Sequence, residues 1–237
     1  MGNKVLIVVP AYNEQDNIEK VIDRIHLVSS EFHVIIVNDG SSDNTAKIAK
    51  SKGVIVLSHP VNLGAGATIQ TGLKYAVLNG FDLAVVVDGD GQHNPDEIPE
   101  LLKALKNNQA DIVVGSRFLT KEYKQVPWAR RIGIILFSII ASAISRSKIT
   151  DTTSGFRLFN KKAIDFLAKD MPGDFPDADM LLLLILSGFN IVEVPVEIRE
   201  RVNGQSMYSL LRSTYYPFKL TVAILAVLLR MLFKGGA

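Results

Sequence analysis

Five short apolar runs, at residues 5–9, 34–37, 54–57, 83–87 and 112–115, recur through the first half of the chain and consist mostly of β-branched residues. None alternates with polar residues, so each needs cover on both faces. That is the condition of a strand inside a parallel sheet. Helical spacing fills the intervals. Ile18, Val21, Ile22, Ile25 and Val28 follow the first run, and a helix opening at Gly64-Ala65-Gly66 reaches Leu78 after the third. After the fourth, Asn94-Pro95-Asp96-Glu97 reads as a helix start, with Asn as the cap, Pro first and Glu third. Strands alternating with helices predict an α/β fold around a doubly wound, mostly parallel sheet. Ligands of such sheets gather beyond the carboxyl ends of the strands.

The fourth run ends in Asp88-Gly89-Asp90-Gly91-Gln92-His93. Taken as extended backbone, Asp88 and Asp90 point to the same side. Both then aim at one point past the strand, with Gln92 as a third oxygen donor. Hard oxygens on a loop suit Mg²⁺ or Mn²⁺, above all an ion that also holds phosphates. The plainer alternative is a solvated acidic turn. The second run ends in Asn38-Asp39-Gly40-Ser41-Ser42-Asp43-Asn44-Thr45, dense in turn formers and helix caps.

The absence of cysteine excludes disulfides, thiolate catalysis and cysteine-held zinc. The net charge of +2 hides an asymmetry: residues 1–116 carry 9 Lys and Arg against 14 Asp and Glu, and residues 117–237 carry 17 against 10. An acidic half built round a metal–phosphate site, followed by a basic half, suggests a second anionic partner. Nucleic acid is not the expected one. Residues 132–144 are thirteen in a row without a charge, with Arg130 and Arg131 before them and Arg146 and Lys148 after. Residues 220–229, bounded by Lys219 and Arg230, and then Met231-Leu232-Phe233 form a second apolar stretch. Both fall short of the roughly 20 residues that a spanning helix needs. They suit helices lying in the membrane interface with cations at the headgroups, or else buried core helices; the flanking cations favour the interface. The N-terminus, Met1-Gly2-Asn3-Lys4, lacks a signal-peptide layout, so an intracellular protein is expected.

Four stretches together resemble the family-2 glycosyltransferases of the GT-A fold: Pro10-Ala11-Tyr12-Asn13-Glu14, Asn38-Asp39-Gly40-Ser41-Ser42-Asp43, Asp88-Gly89-Asp90-Gly91-Gln92-His93 and Thr153-Ser154-Gly155-Phe156-Arg157. Gly115-Ser116-Arg117, and Glu193-Val194-Pro195-Val196 with Arg201-Val202-Asn203-Gly204-Gln205-Ser206, are similar to the polyprenyl-phosphate branch of that family. Each motif alone is weak; together, in order over residues 5 to 207, they are specific. The resemblance implies a GT-A domain over residues 1–210, with an interfacial helix around 128–146, and an apolar membrane-associating helix over 211–237. It implies a peripheral or monotopic protein at the cytoplasmic face of the membrane. The implied reaction moves one sugar, with inversion, from a nucleotide diphosphate sugar (GDP-mannose or a UDP-hexose) to dolichyl or polyprenyl phosphate.

The same resemblance assigns roles. Asp39 accepts hydrogen bonds from the base, or alternatively caps the helix at Thr45. Pro10, Ala11, Tyr12 and Glu14 line the donor pocket, with Tyr12 against the base, and Asp88 and Gly89 complete it. Asp88, Asp90 and Gln92 hold Mg²⁺ or Mn²⁺, Asp90 and Gln92 most directly. Arg117, Arg130, Arg131 and Arg201 hold the acceptor phosphate. Asp90, Arg117 and Asp151 are the expected catalytic residues, Asp151 as a base or as the group that orients the acceptor through an arginine. Arg157 is expected to pair structurally with a carboxylate. A lipid phosphate is already anionic, so it needs positioning by cations more than a strong base. Three positions depart from the pattern: Ala65 and Met207 stand where Lys is usual and Asp179 where Glu is usual. With Met207 in place of that Lys, a diphosphate or lipid-phosphate contact is expected either to be lost or to move to Arg199 or Arg201. Transfer to a sugar hydroxyl and a non-catalytic nucleotide-sugar-binding module are the alternative functions.

Overall fold

The computed structural model describes residues 3–120, 138–139, 141–142, 149–172 and 178–197. Strand β1 (Val5–Ala11) lies between β2 (His33–Asn38) and β4 (Leu83–Val86), with β3 (Ile55–Ser58) at one edge, all four parallel. Past β4 come β6 (Arg157–Asn160), β5 (Ile112–Ser116) and β7 (Ile191–Pro195). β6 runs antiparallel to both of its neighbours, and β5 and β7 are parallel. The five apolar runs all form strands; β6 and β7 are additions that the sequence reading lacks. The sheet is nevertheless mostly parallel, as expected.

Alternate residues of the central strands face opposite sides, and each side has its own core. Leu6, Val8, Ile35, Val37 and Val86 pack with Leu73 of α3 (Ala65–Leu78), Leu167 of α5 (Lys161–Asp170) and Leu181 of α6 (Ala178–Leu186). Ile7, Val9, Ile36, Val85 and Val113 pack with Ile18, Ile22 and Ile25 of α1 (Ile18–Val28) and Ile98 and Leu101 of α4 (Ile98–Asn107). Each fully buried Ile or Leu contributes roughly 1.5–3 kcal/mol of transfer free energy. At the expected helix start, Asn94 does accept the Asp96 N–H ahead of Pro95. The first turn, Pro95–Glu97, is 3-10, however, and the α-helix begins at Ile98.

Helix α3 crosses β1 so closely that a Cβ on Gly72 would overlap Val8 Cγ1. Gly72→Ala is therefore expected to cost about 1–3 kcal/mol by overpacking. A thermal melt checks this, and an unchanged Tm would show that the helix can ride outward freely.

Residues 138, 139, 141 and 142, within the apolar segment 132–144, are helical. Ala141 is in the core, Ser138 Oγ donates to Thr150 O (3.0 Å), and Ile139 stays 61% exposed. One side of this helix thus meets the sheet while an apolar side chain faces outward. The remainder of the helix expected around 128–146, Arg130, Arg131, Arg199, Arg201, Met207 and the segment 211–237 lie outside the described residues. No described helix is long and apolar enough to cross a membrane.

Candidate active site

Register sets Ala11 beside Asn38 and Asn38 beside Ser58, so the chain leaves β1, β2 and β3 at one carboxyl edge. There the segment after β1 is stitched to the segment after β2. Asn13 N–H donates to Ser41 Oγ (3.0 Å), Ser42 N–H to Asn13 Oδ1 (2.9 Å) and Glu14 N–H to Thr45 Oγ1 (2.8 Å). Asn13 adopts a φ of +55°, a left-handed conformation that Asn tolerates. Pro10 and Ala11 end β1 beneath this platform, and Tyr12 is exposed on it. Glu14 is buried and accepts from Asn17 Nδ2 (2.8 Å).

Asp39 is buried and does not cap the helix at Thr45, α2 (Thr45–Ser51). Asp43 takes the Thr45 N–H instead (2.9 Å), because it lies two residues away, at Asx-turn distance. Asp39 Oδ1 accepts from Leu63 N–H (2.9 Å) and lies 2.8 Å from His59 Nδ1, and Oδ2 accepts from Gly64 N–H (2.8 Å). The carboxylate thus fastens the turn that opens α3.

Strand β4 ends at Val86, and the chain turns at Gly89 and Asp90. The expectation that Asp88 and Asp90 share a side as alternate residues of extended backbone is corrected by this turn. Gly89 N–H bonds to Pro10 O (3.1 Å), and a Cβ on Gly89 would come within 2.8 Å of that oxygen. Asp88 leans toward the segment that leads into β6: its oxygens lie 3.1 and 3.3 Å from where a Cβ on Gly155 would sit. Asp90 Oδ1 accepts the Gln92 N–H (3.0 Å).

His93, which the sequence reading did not single out, sits behind the pair. Its Nδ1 accepts the Asp88 N–H (3.0 Å), its Nε2 is 3.5 Å from Asp88 Oδ2, and its ring stacks on Phe156. Burial drives the imidazole down to about 4, against the pull of the Asp90 carboxylate. His93 is thus neutral at pH 7, with its proton on Nε2 toward Asp88.

The Asp88 side chain is 42% exposed, and Gly155 leaves its oxygens uncovered. Two carboxylates and an amide are hard oxygen donors of the kind that Mg²⁺ and Mn²⁺ take. Among the described residues, no three His, Cys, Asp or Glu side chains form a set able to hold a metal by themselves. An ion at Asp88, Asp90 and Gln92 would therefore share its coordination with a substrate.

Arg117 follows β5 directly and meets the buried Asp151. Nε donates to Asp151 Oδ2 (2.6 Å), Nη2 to Oδ1 (2.8 Å), and Nη2 also to Thr153 Oγ1 (2.6 Å). Burial alone would raise the Asp151 carboxyl, but the hydrogen bonds and charge of Arg117 outweigh it and hold the group below its ordinary range. A general base needs the opposite shift. Of the two roles expected for Asp151, the geometry matches orientation through an arginine.

Behind Asp151 lies Glu193, whose Oε1 accepts both the Thr150 and Asp151 N–H groups (2.8 Å each). Burial raises the Glu193 carboxyl, and those hydrogen bonds only partly offset it. Arg157 is buried at the start of β6 and donates to Thr152 O (3.3 Å). Asp179 is buried in the first turn of α6, where its Oδ1 accepts the Met180 N–H (2.9 Å).

Comparison with known proteins follows the same outline. The model of the family described as Glycosyl transferase family 2 matches residues 6–167. The UDP-N-acetylglucosamine–dolichyl-phosphate N-acetylglucosaminyltransferase of Methanococcus voltae is 33% identical over 218 residues, covering 83% of this chain and 86% of that one. The polyprenol monophosphomannose synthase of Mycolicibacterium smegmatis is 31% identical over 220 residues, covering 87% and 81%. Among solved structures, glucosyl-3-phosphoglycerate synthase from Mycobacterium tuberculosis, in complex with Mn²⁺ and UDP-glucose, superposes with a TM-score of 0.72. Its identity is 20%, over 95% of this chain and 79% of that one, which is a likeness of fold alone. The chain belongs to glycosyl transferase family 2 and is a glycosyltransferase of the GT-A fold.

Proposed function

We propose that the protein transfers one sugar from a nucleoside diphosphate sugar to dolichyl or another polyprenyl phosphate, at the cytoplasmic face of a membrane. The observation that carries this reading is the Arg117–Asp151 pair. An acceptor hydroxyl would need Asp151 to take up its proton, and Arg117 engages both Asp151 oxygens and lowers the carboxylate's affinity for one. A phosphate acceptor needs the guanidinium instead, oriented and already charged. The relatives named for dolichyl-phosphate and polyprenol-phosphate products support the same acceptor class.

In this mechanism Pro10, Ala11, Tyr12, Glu14, Asp39 and Gly89 hold the donor. Asp88, Asp90 and Gln92 would hold Mg²⁺ or Mn²⁺, which when bound neutralises charge on the departing diphosphate. Arg117, held by Asp151 and Thr153, positions the acceptor phosphate, with Arg130, Arg131 and Arg201 as its further cations. A phosphate oxygen attacks the anomeric carbon from the face opposite the leaving group. The bond from that carbon to the diphosphate breaks, the electron pair leaves on the nucleoside diphosphate, and the configuration inverts. No proton is removed from the nucleophile.

The test is a panel of UDP- and GDP-sugars against polyprenyl phosphate and against sugar hydroxyl acceptors, with liposomes present and nucleoside diphosphate release as the readout. Turnover that requires the lipid phosphate is the expected result. Turnover with a hydroxyl acceptor alone would replace this reading, and binding of donor without any turnover would make the protein a non-catalytic module.

A further inference from the structure

Asp39 is held from three directions by its own chain. Oδ1 receives Leu63 N–H and His59 Nδ1, and Oδ2 receives Gly64 N–H. An ionised carboxylate only accepts, so His59 Nδ1 carries a proton toward Oδ1. The other ring nitrogen lies 2.9 Å from Thr71 Oγ1. A hydroxyl both donates and accepts, so Thr71 satisfies Nε2 whichever role that nitrogen takes. The three side chains come from three places: Asp39 after β2, His59 after β3, Thr71 within α3. The backbone sets their meeting, because His59 N–H bonds to Asn38 O (2.9 Å), continuing the β2–β3 ladder one step past the strands. Both side chains are nearly out of solvent, 11% exposed for His59 and 4% for Asp39.

The count of acceptor positions has a consequence. A carboxylate offers about two positions on each oxygen. Both on Oδ1 are taken by the chain, and one on Oδ2 is taken by Gly64. Among the described residues nothing takes the remaining position, on Oδ2, which is left for a ligand. Guanine presents N1–H and the adjacent N2–H side by side, a pair that calls on both oxygens of a carboxylate. Uracil presents a single N3–H between two carbonyl groups, and one acceptor position satisfies it. Adenine and cytosine offer a bare ring nitrogen at the corresponding place, which a carboxylate repels.

We infer that His59 is a specificity-determining positioning residue: by filling Asp39 Oδ1 it restricts the base site to one N–H donor and selects a uridine diphosphate sugar over a guanosine one. The inference rests on the donor-binding role given to Asp39 in the proposed function, and it names the nucleotide that reading leaves open. His59 acts through Asp39 and does not itself touch the ligand. Thr71 is the outer support, holding the far side of the imidazole while Nδ1 faces Asp39.

The experiment is calorimetric titration of UDP and of GDP into the full-length protein with Mg²⁺, for wild type and three variants, with Tm measured on each. Wild type is expected to bind UDP at least about tenfold more tightly than GDP, the consequence of one unsatisfied buried donor. His59→Ala is expected to lose most of that ratio, because Oδ1 opens to a second N–H. His59→Asn places an amide N–H where Nδ1 stands and is expected to keep the ratio within about threefold, since it restores the lost hydrogen bond. His59→Gln reaches toward Thr71 instead and is expected to behave like His59→Ala. A general loss of stability would lower both affinities together and leave their ratio alone.

A wild type that prefers GDP overturns the inference. So does a His59→Ala ratio equal to wild type, or a fall in both affinities that follows Tm at constant ratio. A wild type that binds neither nucleotide overturns the donor assignment itself and the inference with it.

Discussion

Chelating divalent cations is expected to abolish sugar transfer, with Mg²⁺ or Mn²⁺ restoring it. In the proposed reaction the diphosphate leaves as an anion, and two of the described residues just past β4, Asp88 and Asp90, are acidic. Without a cation these carboxylates would repel such a donor. Asp90→Ala is therefore expected to lower kcat by about 10²–10³-fold, the usual effect of removing one element of electrostatic stabilisation at a leaving group. Nucleotide binding in the presence of metal should weaken with it. Single-turnover rates over a metal titration check this. Full activity of Asp90→Ala, or turnover in excess chelator, would remove the metal from the mechanism.

The second large effect is expected at Arg117. Asp151 is fully buried, and Arg117 supplies the charge that keeps it ionised. Arg117→Ala strands that carboxylate and is expected to cost about 3–5 kcal/mol of stability near neutral pH. Arg117→Lys should recover only part of this, because an ammonium cannot bridge both carboxylate oxygens and Thr153 at once. The pH dependence has a definite sign. Asp151 titrates lower folded than its ordinary value of 3.8, so its contribution is present above that value and lost as pH falls through the folded pKa. Glu193 is shifted the other way from 4.5, so its contribution is complete in acid and lost as pH rises through the raised value. Denaturant unfolding across pH should show wild type losing the Asp151 part below pH 4, with Asp151→Asn flat there. Glu193→Gln should gain relative to wild type above the raised value. A wild type and an Asp151→Asn variant that lose stability in parallel through acid would mean that the pair contributes nothing to the fold.

Much of this architecture is legible before any coordinates. The apolar runs declare the five strands with two covered faces, and Ile18, Val21, Ile22 and Ile25 declare α1. β6 escapes because it is four residues long and opens with a buried arginine, which no hydropathy pattern marks as a strand. β7 escapes because its Glu193 interrupts the apolar run. That glutamate is half-buried and turned to the Thr150 and Asp151 N–H groups, over forty residues away in sequence. The acidic loop Asp88-Gly89-Asp90 is legible as the end of an apolar run, but its geometry is not: the turn depends on Pro10 O of another strand. His59 and His93 were invisible for the same reason, since a lone histidine does not announce its partners. One signal was available for His59. In a parallel sheet the residues just past neighbouring strands line up, and His59 follows β3 as Asp39 follows β2.

Ser116 Oγ lies 2.7 Å from Thr150 Oγ1, and Arg117 grips Asp151 one residue further along each chain. β5 and β6 are antiparallel neighbours, so these two clasps tie the segment that leaves one strand to the segment that leads toward the other. Thr150 and Asp151 are in turn fastened to Glu193 of β7. The guanidinium is thereby braced from three strands at once: its own backbone follows β5, its carboxylate partner is tied to β7, and Thr153 lies on the approach to β6. A substitution in any of the three would be felt at Arg117, so faults far apart in the sequence would share one symptom.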